Sequence, residues 1–182
     1  MLANTRLLAQ LSSLAALLLA LTFSTVRAQD STLEEIKYKE DYDRVQAILK
    51  VSDVQKRGDR ITALYKERTD MRADLQAYVD SIFLKDLENL MKAQNISLLG
   101  GLCDKALKVR PRFGEVYLFQ GFVLKSQKKN SDALMAFAKG SVITNQFKTR
   151  SKQQLDVLYR AEHGGSLIGE DKLIKDAVKE LR

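Results

Sequence analysis

Histidine and cysteine, the side chains most often recruited for catalysis or metal binding, occur once each in this chain, at His163 and Cys103. His163 precedes Gly164-Gly165, so it reads as a histidine at a helix terminus, where the last carbonyls favour a donor. No HExxH, CxxC, GxSxG or Walker-type loop is present, and each of those chemistries needs its residues at a fixed spacing. The glycine pairs at 100–101 and 164–165 lack the flanking pattern that cradles a phosphate. Carboxylates are plentiful, but nothing singles out a pair for acid–base work. Arg57-Gly58-Asp59 matches a cell-adhesion tripeptide and Asn95-Ile96-Ser97 a glycosylation acceptor. The first lies in a basic, helix-forming stretch and reads as accidental. The second matters only in a eukaryotic secretory setting. No catalytic residue, metal or cofactor is assigned, and the chain is read as a binding protein and not an enzyme.

The elements that would position any binding surface are helical. Pro occurs once, at Pro111, and Trp is absent, while Leu, Ala, Lys, Glu, Asp and Gln are frequent. Such a chain has few breakers and many helix formers. Apolar residues fall at helical spacing over 31–50, then in a helix capped by Asp53 that carries Ile61, Leu64 and Tyr65. A third helix, with Asp70 as its expected cap, runs to about Ala93. Ser97 opens a short helix and Pro111 stops it. Further helices are expected from Pro111 to Leu124, over 132–143, over 148–160 and over 170–181, with Gly164-Gly165 between the last two.

The first 28 residues stand apart. Arg6 precedes the apolar run Leu7 to Phe23, and Val26-Arg27-Ala28 offers the small-residue site a signal peptidase reads. Cleavage is expected after Ala28. That gives a signal peptide over 1–28, a helical extension over 29–79 and a repeat domain over 80–182. With a single cysteine, no internal disulfide can form, and the exported protein relies on packing alone. This favours a periplasmic or secreted bacterial protein over a eukaryotic extracellular one.

Tyr117, Gly121, Leu124, Ala133, Phe137 and Gly140 follow one another as bulky, small, bulky, small, aromatic and small. In this order and spacing they resemble the tetratricopeptide (TPR) repeat, a helical hairpin of about 34 residues. One period earlier stand Phe83, Leu90, Cys103, Ala106 and Pro111. There Cys103 takes a core position, where a buried thiol is expected. Leu87 and Leu99 depart from the two small positions, and Gln120 and Asn145 also miss the pattern. One period later Leu155 and Leu158 fit, whereas Leu167 and Asp171 do not. The match is good over 114–147, fair over 80–113 and weak over 148–181. The resemblance implies an all-α, short right-handed stack of antiparallel hairpins, with Gly121 and Ala133 meeting at a crossing and extra N-terminal helices as a cap.

The resemblance also implies a function. In that family the first helix of each hairpin lines a concave groove. Carried over, the groove residues are Leu84, Glu88, Met91 and Lys92, then Leu118, Phe122 and Lys125, then Lys152 and Tyr159. The carboxylate-clamp version wants Asn where Glu88, Phe122 and Asp156 stand, so chaperone C-termini are not expected ligands. Whether the groove is open or filled by the protein's own helices is undecided by sequence. The expected partner is another protein or peptide of acidic character, because residues 105–160 carry a balance of +9 while 29–104 carry −3 and 161–182 carry −1. The alternative is an anionic envelope ligand, lipid headgroups or an acidic polymer, held by the basic 105–160 segment; peripheral membrane contact belongs to that reading. Nucleic acid is not expected, given export and the lack of a recognised motif.

Overall fold

The computed structural model describes residues 32–182; the expected cleavage point after Ala28 lies outside them. The described chain is all-α, with eight helices and no strand among the described residues. They are α1 over 32–49, α2 (Val54–Glu67), α3 (Ala73–Lys92), α4 (Ile96–Val109), α5 (Gly114–Ser126), α6 (Asn130–Val142), α7 (Lys148–Glu162) and α8 (Glu170–Glu180). The chain forms two compact units that meet at Gln46 and Ala47. In the first, the helix over 32–46 exposes Leu33, Ile36 and Tyr42. The second, 47–182, carries the other seven helices.

Local chemistry sets the helix ends. Asp53 Oδ1 accepts the Lys56 N–H at 2.8 Å and starts α2. Asn95 Oδ1 accepts the Leu98 N–H at 3.3 Å, so α4 begins at Ile96 and not at Ser97. Asp70 is not the cap of α3; it sits 3.6 Å from the Arg68 guanidinium, and Arg72, whose guanidinium binds Asp74, holds the cap position without a side-chain capping bond. The buried face of α3, Leu75, Val79, Phe83, Leu87 and Leu90, keeps that helix unbroken to Lys92. Pro111 lies in the turn after α4, and α5 starts only at Gly114. Gly164 and Gly165 take φ of +59° and +91°, which glycine adopts without steric cost. The Gly165 N–H then donates to the Arg160 carbonyl at 2.8 Å and closes α7.

The connections are short, so successive helices from α3 to α7 reverse direction. Each packs on the next, and α3 touches α5 while α5 touches α7. The last pair departs from this pattern, since α8 packs chiefly on α6. α5 is the most enclosed helix, because α3, α4, α6 and α7 all contact it. Val116, Tyr117, Leu118, Phe119 and Val123 are all buried.

α5 and α6 approach closely at Gly121, and the side chain nearest to it is Phe137. A Cβ at Gly121 would overlap the Phe137 ring. Phe137 is fully buried and Phe122 packs edge-on against it, with centroids 5.5 Å apart, so the ring has no room to move aside. Gly140 makes the matching approach to α7, where a Cβ would stand 2.7 Å from Ser151 Oγ. Gly121→Ala should therefore cost about 1–3 kcal/mol through overpacking. Gly101, whose Cβ would meet nothing within 4 Å, is the control. Gly101→Ala should stabilise the helix by about 0.5–1 kcal/mol. Urea unfolding of the two variants beside the parent checks the opposite signs.

Candidate functional site

The groove residues expected from the repeat separate into two groups. Leu84, Leu118 and Tyr159 are buried, at 5%, 0% and 7% exposure, and are core residues that offer no surface to a partner. The physical reason is that α5 has neighbours on nearly every side. Leu118 and Tyr159 lie in one apolar cluster with Phe137, Leu155 and Leu158, and the half-buried Phe122 packs against it. The Tyr159 hydroxyl donates to the Ile168 carbonyl at 3.0 Å, and its ring stacks on His163 at 3.9 Å. Lys152 is half-exposed, but it bridges Asp156 and Glu170 and so ties the start of α8 to α7. Burial, reinforced by Asp156, pushes the Glu170 carboxyl above its usual range. Lys92 and Lys125 are exposed, and Glu88 and Met91 are half-buried along the last turns of α3. These positions present no apolar floor.

An open cleft lies elsewhere, between α2 and α4. Two ionic contacts hold the helices around it. The Arg57 guanidinium binds Asp86 through both carboxylate oxygens, at 2.7 and 2.6 Å, and fixes α2 on α3. Gly58 lets α2 approach α4, since a Cβ there would stand 2.6 Å from Leu102 Cδ2. Asp59 pairs with Lys105 at 2.5 Å. All three members of the adhesion-like tripeptide are thus committed to packing. At the far end the Arg110 guanidinium donates to Asp80 at 2.5 and 3.2 Å. It also lies over the Tyr65 ring at 4.6 Å and the Phe113 ring at 4.2 Å. The Tyr65 hydroxyl completes the knot by donating to Asp80 at 2.5 Å. Burial, with Asp80 adding to it, pushes the Tyr65 hydroxyl far above its ordinary range, so it stays protonated.

These contacts set α2 and α4 side by side and parallel, with their C-termini at the same edge. Between them the cleft has a volume of about 600 Å³. Ala63, Tyr65, Val109 and the methyl groups of Thr62 and Thr69 give it an apolar lining. Lys66, Lys105 and Lys108 stand on its rim. Lys105 is neutralised by Asp59, whereas Lys66 and Lys108 are exposed and make no ion pair among the described residues. Both lie in the last turn of their helices, where the helix dipole places about half a negative charge. The cleft therefore keeps a modest positive field, about one net charge after both dipoles are counted.

No protein-family model, curated protein or solved structure matches this chain. The site has to be read from its own chemistry. Cys103 is buried, and burial pushes its thiol far above the usual range, which leaves it a poor nucleophile. No group of three metal-ligating side chains occurs among the described residues. The cleft offers no paired acid and base. It offers an apolar floor with cations at the rim, an arrangement suited to holding a group that is partly apolar and partly anionic.

Sequence reasoning missed Lys66 and Val109 as cleft residues, and Tyr65 as the buried ring beneath them, because the cleft joins a repeat helix to one outside the repeat frame. The available signal was the basic residue in the last turn of each helix. Two predictions follow from the contacts around the site. Asp86→Ala strands the Arg57 guanidinium, whose side chain is 15% exposed. Losing one member of such a pair costs about 3 kcal/mol or more, to be read from urea unfolding. Phe122→Ala should also lower stability, by at least the roughly 1 kcal/mol of an edge-on aromatic pair, and a thermal melt checks it.

Proposed function

We propose that this chain is an exported, TPR-like helical scaffold that binds a protein or peptide partner of acidic character, and that the α2–α4 cleft is the contact. The observation that carries the reading is the cleft itself: an apolar floor in reach of two lysines that make no ion pair among the described residues. The repeat-like succession of antiparallel helices, with α3, α5 and α7 in contact, supports the TPR-like part of it. A scaffold that presents side chains and performs no chemistry is consistent with a stacked His163 and a buried Cys103. Export rests on the signal-like first 28 residues. Among the described residues no helix is long and apolar enough to cross a membrane.

One observation favours the alternative of an anionic envelope ligand. Of the twelve Lys and Arg in 105–160, Lys105, Arg110, Lys139 and Lys152 are in ion pairs. The remaining eight have none among the described residues, so most of the +9 is exposed and available. Salt separates the two readings. An acidic peptide with an apolar residue keeps part of its affinity at roughly 0.5 M salt, because apolar burial is not screened, whereas binding by charge alone is lost. The double reversal Lys66→Glu/Lys108→Glu should weaken the peptide about tenfold while leaving the melting temperature near that of the parent. Fluorescence anisotropy with a labelled peptide reads this. An unchanged affinity would remove the cleft from the account.

A further inference from the structure

The field of the cleft is modest, so an acidic partner held there alone would bind weakly. The neighbouring edge of the molecule supplies more. α2, α4 and α6 finish at one edge, and the turns that follow α4 and α6 lie side by side on it. Their contact is close: a Cβ at Gly114 would stand 2.5 Å from Asn145 Nδ2 and 2.8 Å from Ile143 Cγ2. Asn145 in turn organises the second turn, donating to the Gly140 and Ile143 carbonyls and accepting the Phe147 N–H at 2.7 Å. The first turn carries Arg112, and the second leads into Lys148 at the start of α7. Both side chains are exposed and neither makes an ion pair among the described residues. Lys66, Lys108, Arg112 and Lys148 therefore follow one another along this edge, from the cleft to the N-terminus of α7. Glu115, half-buried in the first turn of α5, lies beside them, and Glu180 at the end of α8, paired with Lys139, is near Tyr117, whose hydroxyl donates to the Pro111 carbonyl next to Arg112.

We infer that the partner is an extended acidic polypeptide segment, anchored by an apolar side chain in the α2–α4 cleft and running across the helix ends over Arg112 to Lys148. This rests on the cleft reading above and extends it to a named track. An extended polypeptide suits it better than a headgroup or a globular surface, because the cations form a line that begins at the apolar floor of the cleft and ends at Lys148, which borders a second recess lined by Val142 and Ile174. Neighbouring helices pack about 8–10 Å apart. Two such spacings and the width of a turn make about 25 Å, which an extended chain covers in about eight residues at roughly 3.3 Å each. Such a segment presents carboxylates repeatedly along its length, as the line of cations requires.

Two labelled Asp/Glu peptides test this, each with a leucine near one end, of about four and about ten residues. The full chain is used, and circular dichroism melts verify that every exposed-site variant is folded. The longer peptide should bind at least about fivefold tighter than the shorter. Arg112→Glu/Lys148→Glu should erase that advantage and leave the short peptide unchanged. Lys66→Glu/Lys108→Glu should weaken both. Equal affinity for the two lengths, or an advantage that survives Arg112→Glu/Lys148→Glu, overturns the track while the cleft reading stands. Failure of both peptides to bind overturns cleft and track together. Tight binding to phosphatidylglycerol vesicles with no binding of either peptide would assign the edge to a lipid surface and overturn the inference.

Discussion

The Arg110 guanidinium is the point on which the first half of the second unit depends. It is held by both oxygens of Asp80 on α3, covered by the rings of Tyr65 on α2 and Phe113 at the start of α5, and attached to the end of α4. Four helices thus share one cation. Bonds from an ionised donor to an ionised acceptor contribute about 1.5–3 kcal/mol each in such settings, and the two flanking rings add packing that an exposed pair lacks. The same contact sets the position of the Tyr65 ring, which lines the cleft, and of the turn that presents Arg112. Fold and candidate site are therefore coupled through one side chain. The second half depends on a different constraint, the missing Cβ of Gly121, which lets the Phe137 ring fill the space between α5 and α6.

The helices were largely legible in sequence because their ends carry local chemistry. Asp53, the Gly164-Gly165 pair and the apolar spacing of α3 act within a turn or two of their own positions. Gly121 was legible as a position that must be small. That the Phe137 ring stands nearest to it was not, because spacing says where a side chain cannot fit and leaves open which neighbouring ring takes the room. Burial of Leu118 and Tyr159 lay further out of reach. It follows from how many helices surround α5, a long-range property that a repeat frame of one hairpin does not contain. The cleft was the least legible feature. Its ion pair joins Asp59 to Lys105, 46 positions apart, and Arg57, which reads as part of an accidental tripeptide, turns out to anchor α2 through Asp86.

Charge and packing divide the molecule's surfaces between them. The face that the repeat resemblance assigns to ligand binding is closed at Leu84, Leu118 and Tyr159 by the protein's own packing, and Lys152 there is spent on Asp156 and Glu170. At the edge where α2, α4 and α6 end, Arg110 and Lys139 are paired, while Lys66, Lys108, Arg112 and Lys148 make no ion pair among the described residues. A lysine or arginine already held in an ion pair has little attraction left for an incoming anion. An exposed, unpaired one contributes little to stability and retains its attraction for an anion. The cations without partners are therefore where binding is to be sought.

Backbone amide chemical shifts, followed by NMR as an acidic peptide is added, test this placement most directly. The account predicts shift changes concentrated in 62–69 and 105–112, the two walls of the cleft and the turn beyond it. Changes centred instead on 88–92 and 122–125, with the cleft residues silent, would contradict it and return the binding surface to the face of α3 and α5.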